Sequence, residues 1–195
     1  GDHRDLHSFP TRRSSDLSGE KIGAFCMQHG PGAENAMGGV AQCYGESVPV
    51  LVLPMGYARR LANIDPNFNS SQAMKAFLKS SEPINIAAEV GNIFRRAFTR
   101  LKNGRGGPVI VEIPADMWNE EVPEPLNYTP VLRTRYGADP VHIKEAAALL
   151  VNAKRPVIYA GQGVHYAKAW PQLKRLAERL AIPVTTSLGD RKSVV

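Results

Sequence analysis

The chain has 195 residues, 43% of them apolar and 22% charged, with a formal net charge of +6. No run approaches the roughly 18 continuous apolar residues of a membrane span, and the basic excess is spread along the chain rather than gathered into a nucleic-acid-binding block. Two cysteines are too few for a disulfide framework, so a cytoplasmic chain with no membrane or nucleic-acid partner is the expectation.

The two ends share a DNA origin. Residues 190–195 read Asp-Arg-Lys-Ser-Val-Val, which GAT CGG AAG AGC GTC GTG encodes. The reverse complement of that string, read in a shifted frame, gives Arg-Arg-Ser-Ser-Asp, the residues at 12–16, and its leftover bases fit Thr11 and Leu17. One element in opposite orientations at both ends is the mark of a ligated linker. Residues 1–17 resemble a translated sequencing adapter, and residues 190–195 its other strand. Both are expected to be artefact, with 1–17 disordered for want of apolar residues. Without them the net charge is +5.

Residues 22–27 form a short apolar run, followed at once by His29-Gly30-Pro31-Gly32. Residues 33–46 read as a helix and residues 48–53 as a second apolar strand, a strand–helix–strand unit of the size that parallel pairing needs. Strands apolar throughout predict a sheet covered on both faces. Cys26 in the first run and Cys43 in the helix are expected to be small buried residues. Residues 57–71, polar and rich in Asn, read as a loop that carries a surface pair, Arg59-Arg60. Between 89 and 102, Val90, Ile93, Phe94, Ala97, Phe98 and Leu101 recur at helical spacing, with Arg95, Arg96, Arg100 and Lys102 mostly opposite. Gly104-Arg105-Gly106-Gly107 ends that helix, and residues 108–113 read as a strand.

Residues 114–139 hold four prolines and no periodic pattern, which marks an interdomain linker. The rhythm then returns: helix 141–151, strand 156–160, a Gly161-Gln162-Gly163 turn, a helix with Trp170, Leu173, Leu176, Ala177 and Leu180 on one face, and strand 182–186. The fold class read from this order is α/β: a parallel-sheet domain, incomplete at its N-terminus, over 18–123, a linker over 124–139, and the start of a Rossmann-like α/β domain over 140–189. Gly161-x-Gly163 alone leaves open a second reading, a nucleotide-binding (FAD or ADP) module.

The Gly30-Pro31-Gly32 turn lets the backbone bend sharply at the carboxyl end of a strand, where the next helix presents free N–H groups. With Gln28-His29 before it, Ala33-Glu34-Asn35 after it, then Ala41, Tyr44 and Ser47-Val48-Pro49-Val50, this stretch resembles the pyrimidine-binding domain of thiamine diphosphate-dependent enzymes of the acetolactate synthase type. Gly107-Pro108-Val109, Val111-Glu112-Ile113-Pro114 and Asp116 resemble the strand that closes that domain. Residues Arg155 to Val164 resemble the opening of the family's central domain.

The resemblance implies a lyase or transferase that decarboxylates a small 2-oxo acid or joins the resulting aldehyde unit to a second carbonyl compound. It implies thiamine diphosphate and Mg²⁺, the latter anchored by a C-terminal domain outside this sequence, with FAD as a further candidate. It also implies a full-length homodimer or homotetramer, and a fragment inactive alone. Gly30, Pro31, Gly32 and Asn35 are the candidate cofactor-binding residues; His29, Gln28 and Gln72 are the candidate catalytic ones. Acetolactate synthases carry Thr-Ser where this chain carries Gln28-His29, and Phe68-Asn69 competes with Gln72 for the family's Phe-Gln pair. No residue is assigned to a metal, and lone His142 and His165 read as structural or exposed.

Overall fold

The computed structural model describes residues 22–126 and 128–186. The two end segments read as adapter therefore lie outside the described residues. Contacts divide the chain between Arg135 and Tyr136, inside the segment read as a linker.

The first unit is built on a four-stranded sheet. Strand β1 (Gly23–Met27) leads through a turn to helix α1 (Pro31–Gly45) and strand β2 (Val50–Gly56). A polar stretch with a 3₁₀ turn at Arg59–Leu61 reaches the short helix α2 (Ser70–Ala73), then strand β3 (Ser80–Pro83), helix α3 (Val90–Lys102) and strand β4 (Val109–Pro114). The strand order is β1-β2-β4-β3 and every pair is parallel, with Ala24 opposite Leu51, Val52 opposite Ile110 and Ser81 opposite Ile110.

Continuous apolar strands here mean two buried faces. Val50 and Val52 of β2 and Ile110 of β4 join Ala33, Val40 and Cys43 of α1 in one core cluster. The intervening Leu51, Val109 and Val111 point the other way, onto Ile93, Ala97 and Leu101 of α3. Because successive strand side chains alternate sides, one apolar run feeds both layers.

Strand β3 is not among the elements read from the sequence. Ser-Ser-Glu-Pro carries no apolar signal, and as an edge strand it needs none: it pairs only with β4 and tolerates Pro83 at its end. Glu82 ties it to α3 through Arg96, whose Nε donates to Oε2 at 3.1 Å. The linker is also less free than its prolines imply. Lys102 Nζ donates to the Val131 carbonyl at 2.6 Å, and the Thr134 N–H donates to Asn103 Oδ1 at 2.7 Å, so this stretch follows the end of α3.

The cysteines divide. Cys43 is buried, as expected, and burial followed by the charge of Glu46 pushes its thiol up to about 11. Cys26 corrects the expectation of burial: β1 is an edge strand, Phe25 and Met27 pack on the core, and Ala24 and Cys26 face the open side. Because the thiolate is the nucleophile, iodoacetamide at about pH 8 is expected to alkylate Cys26 and to spare Cys43 until the chain is unfolded. Peptide mass mapping checks this, and equal labelling of both in the native state would contradict it.

The second unit pairs strand β5 (Ile158–Ala160) with strand β6 (Val184–Thr186), parallel. Helix α4 (Pro140–Asn152) precedes them, and helices α5 (Gln162–Tyr166) and α6 (Trp170–Leu180) lie between. The Asp139 side chain caps α4 by accepting from the Val141 N–H at 2.8 Å, ahead of Pro140 at the first helical position. Leu173, Ala177 and Leu180 form the half-buried stripe of α6, while Leu176 is exposed. The three-residue turn read at 161–163 is instead the start of α5. A Cβ on Gly161 or Gly163 would meet nothing within 4 Å, so no close backbone approach requires glycine at either position. Among the described residues no helix is long and apolar enough to cross a membrane.

Candidate active site

In an all-parallel sheet the carboxyl ends of the strands share one edge, and helix N-termini open there. At the end of β1, Gly30 takes φ 59° and ψ −119°, a backbone region that glycine alone enters at little cost. That bend starts α1 with Pro31 at its first position and no side-chain cap. The Glu34 N–H is satisfied by the Gly30 carbonyl at 2.9 Å. Among the described residues no acceptor satisfies the N–H groups of Gly32 and Ala33, at the positive end of a 15-residue helix. Gly32 is also a close approach, since a Cβ there would lie 3.1 Å from Gln28 Cβ.

The end of β2 packs over this turn. His29 is half-buried, its Nδ1 lies 3.4 Å from Met55 Sδ, and its ring sits 4.7 Å from that of Tyr57 at 56°. The Tyr57 hydroxyl stands 3.4 Å from where a Cβ on Gly30 would be. Gln28, Pro31 and Asn35 are exposed around the same turn. The candidates from residues 28–35 are thus gathered in one place, with Met55 and Tyr57 added by the structure.

Gln72 lies elsewhere along the edge. Its N–H donates to Asn69 Oδ1 at 3.0 Å, the cap of α2, and its Nε2 donates to Asn63 Oδ1 at 3.2 Å. Both Asn69 and Gln72 line a polar cavity of about 330 Å³ at the ends of β3 and β4, together with Lys75, Asn85 and Glu112. Phe68 packs on the first core cluster instead. No hydrogen bond or ring contact joins Gln72 to His29 among the described residues.

Glu112 is the residue that sequence reasoning quoted only as part of a motif. It is 4% exposed, and its Oε2 accepts from the Ser71 N–H at 3.0 Å and the Ser71 hydroxyl at 2.9 Å. A Cβ on Gly56 would come within 2.6 Å of Oε1, so glycine there is what lets the carboxylate lie against β2. A carboxylate inside an otherwise apolar strand was the available signal, because such a group stays buried only with hydrogen-bond partners. Arg59 closes the outer rim: its N–H donates to Asp116 Oδ1 at 3.0 Å, its Nε to Asp116 Oδ2 at 2.9 Å and its Nη1 to the Asn85 carbonyl at 2.8 Å, and Nη2 pairs with Glu120. The Arg59 side-chain hydrogen bond, then its backbone N–H, hold the Asp116 carboxyl below its ordinary value. That pairing is therefore present above the carboxyl's unfolded pKa and lost as pH falls through the folded one.

Two family models match this chain in order. The N-terminal TPP binding domain of thiamine pyrophosphate enzymes matches residues 13–79, which contain the turn, and the central domain of the same enzymes matches residues 143–195. The chain belongs to the thiamine pyrophosphate enzymes. Both matched ranges overlap the end segments read as adapter. The acetolactate synthase large subunit of Buchnera aphidicola is 32% identical over 180 residues, 86% of this chain and 31% of that protein. The isozyme 3 large subunit of acetolactate synthase from Escherichia coli is 32% identical over 181 residues, 86% of this chain and 30% of that protein. The crystal structure of benzoylformate decarboxylase from Polynucleobacter necessarius superposes with a TM-score of 0.79 at 27% identity, covering 89% of this chain and 34% of that one. The chain spans about a third of the length of these relatives. The parallel α/β architecture agrees with this membership, and the FAD-module alternative draws no support from these matches.

The turn fits thiamine diphosphate as one wall of its site. It offers free helix N–H groups, a glycine-only bend that brings backbone close, and a half-buried imidazole, all at the sheet edge where such ligands bind.

Proposed function

We propose that this chain is one wall of the active site of a thiamine diphosphate-dependent 2-oxo acid decarboxylase or carboligase. The observation that carries the reading is the uncapped Gly30-Pro31-Gly32 turn at the carboxyl edge of the sheet, inside the segment matched to the family's TPP binding domain. The cofactor, when bound, supplies the carbanion chemistry, and the protein binds, orients and moves protons around it. Gly30, Pro31 and Gly32 bring backbone against the aminopyrimidine side, and Asn35 stands on the same face of the site. His29, with Gln28 beside it, lies where its ring can exchange a proton with a group of the substrate or cofactor. Gln72 contributes polar contacts from the neighbouring cavity.

Mg²⁺ and the diphosphate anchor belong to a further domain, so the 195-residue chain by itself is inactive. The full-length protein is a cytoplasmic homodimer or homotetramer in which two chains enclose each cofactor. The 2-oxo acid is small: pyruvate by likeness to the acetolactate synthases, benzoylformate by likeness to the decarboxylase.

The test is consumption of pyruvate and of benzoylformate by the full-length protein, with and without thiamine diphosphate and Mg²⁺. Turnover of either acid that requires the cofactor, and a kcat/KM lowered by roughly a hundredfold in His29→Gln, are the expected results. Turnover independent of the cofactor defeats the reading.

A further inference from the structure

His29 Nδ1 and Met55 Sδ are 3.4 Å apart, bridging the ends of two adjacent parallel strands. A thioether carries no proton, so it can only accept. If Nδ1 of the neutral ring bore its lone pair, two lone pairs would face each other across this contact; with the proton on Nδ1 the contact becomes an N–H···S hydrogen bond. The ring has little freedom to swing away, because Tyr57 packs on it at 4.7 Å and the His29 backbone runs straight into the constrained Gly30 bend. Nε2 makes no hydrogen bond among the described residues. The two ring nitrogens are thereby distinguished by the fold.

We infer that Met55 is a positioning residue that holds neutral His29 in its Nδ1–H tautomer, leaving the unprotonated Nε2 as the nitrogen presented to a ligand at the carboxyl edge of the sheet. This rests on the reading of that edge as the active site only for its use, since the tautomer follows from the local geometry. The free histidine side chain in water favours the opposite form, so the contact inverts the ring's default. The consequence for the chemistry is specific. Neutral His29 accepts a hydrogen bond or proton at Nε2 and cannot donate from it. A substrate or cofactor group facing it must therefore bring the proton: a hydroxyl, an amino group or a protonated carboxyl, rather than a bare carboxylate. His29 becomes a donor at Nε2 only after it has taken that proton.

The experiment is solid-state ¹⁵N NMR of full-length protein labelled at histidine, recorded above the titration range of the ring, with His29→Gln used to assign the resonances by their loss. The tautomer is read from which nitrogen is protonated and pyrrole-like and which is pyridine-like. The expected result is a pyrrole-like Nδ1 and a pyridine-like Nε2 in the wild type. Met55→Leu conserves volume and removes the acceptor, so it is expected to lose this single-tautomer pattern and gain Nε2–H signal. A pyridine-like Nδ1 in the wild type overturns the inference without recourse to any variant. An unchanged pattern in a folded Met55→Leu protein overturns the role given to Met55. Full turnover in His29→Gln would instead defeat the assignment of His29 to the active site, and the spectrum would still report the tautomer.

Discussion

Gly106→Ala is expected to lower the stability of the first unit by about 3 kcal/mol or more, beyond the usual cost of inserting one methyl group. A Cβ on Gly106 would lie 1.9 Å from the Ser47 carbonyl oxygen and 2.9 Å from its carbon, with Pro49 Cδ at 3.3 Å. The obstacle is backbone, so no side-chain rotation relieves it. Ser47 is itself held in a left-handed conformation with φ 59°. Its N–H donates to the Tyr44 carbonyl at 3.2 Å, and the next N–H, of Val48, donates to Cys43 at 2.8 Å. The segment that would have to yield is therefore the α1–β2 turn, which sets the register of the central strand. Against a typical stability of about 5–15 kcal/mol this is a large fraction. Gly104→Ala separates clash from conformational strain: Gly104 has φ 71° but nothing within 4 Å of a Cβ, so only roughly 1–2 kcal/mol is expected. Urea unfolding followed by circular dichroism reads both. Equal midpoints for Gly106→Ala and wild type would mean that the 106–107 strand entrance does not press on Ser47.

What the sequence made legible follows from which forces leave a linear trace. Runs such as Val50–Gly56 and Val109–Pro114 announce strands because burial on two faces demands apolar side chains at every step. Helix α3 shows its period because one face meets the sheet and the other meets water. Strand β3 leaves no such trace. Its place is set by backbone pairing with β4, flanked by the Lys79 N–H to the Pro108 carbonyl at 2.9 Å and the Ile84 N–H to the Glu112 carbonyl at 2.8 Å. Cys26 was misread for the converse reason. An apolar run implies burial on both faces only for a strand with covered neighbours, and β1 is an edge strand whose alternate side chains face outward.

The candidate site divides in the same way. Gly-Pro-Gly is legible because only glycine meets the backbone demand of that turn. Met55 and Tyr57 are not, because their partner His29 is 26 or more residues away and nothing local distinguishes them from a strand end and a loop start. Glu112 passed as part of a motif although it is a charge in an apolar strand, and its partner Ser71 is 41 residues distant and lies in a segment read as loop. Contacts between strand ends are properties of the sheet order, and that order is what one sequence does not spell out.

Gly30→Ala tests whether the turn does what its geometry suggests. At φ 59° and ψ −119° an alanine is strained by about 1–3 kcal/mol, while its Cβ would meet the Tyr57 hydroxyl only in ordinary contact at 3.4 Å. The sheet and helix on either side are fixed by burial of Phe25, Met27 and Ala33, so the strain relaxes within the turn itself. Rotation there turns the His29 ring off Met55 and Tyr57 and re-aims the free N–H groups of Gly32 and Ala33. The fold is expected to survive with a modestly lower melting temperature. The kcat/KM of the full-length protein should fall about ten- to hundredfold, since each 1.4 kcal/mol of misplaced binding is a factor of ten. Gly38→Ala in the same helix is the comparison. Gly38 is exposed with nothing within 4 Å of a Cβ, so alanine there should leave turnover unchanged and raise helix stability by about 0.5–1 kcal/mol. Wild-type turnover in Gly30→Ala, with its melt lowered as expected, would show that the bend serves only the folding of α1 and that the catalytic wall lies elsewhere on the sheet edge. Loss of turnover in Gly30→Ala with Gly38→Ala intact is the expected result, because the strained bend carries the His29 ring and the N–H groups of Gly32 and Ala33 out of place while the rest of α1 is unchanged.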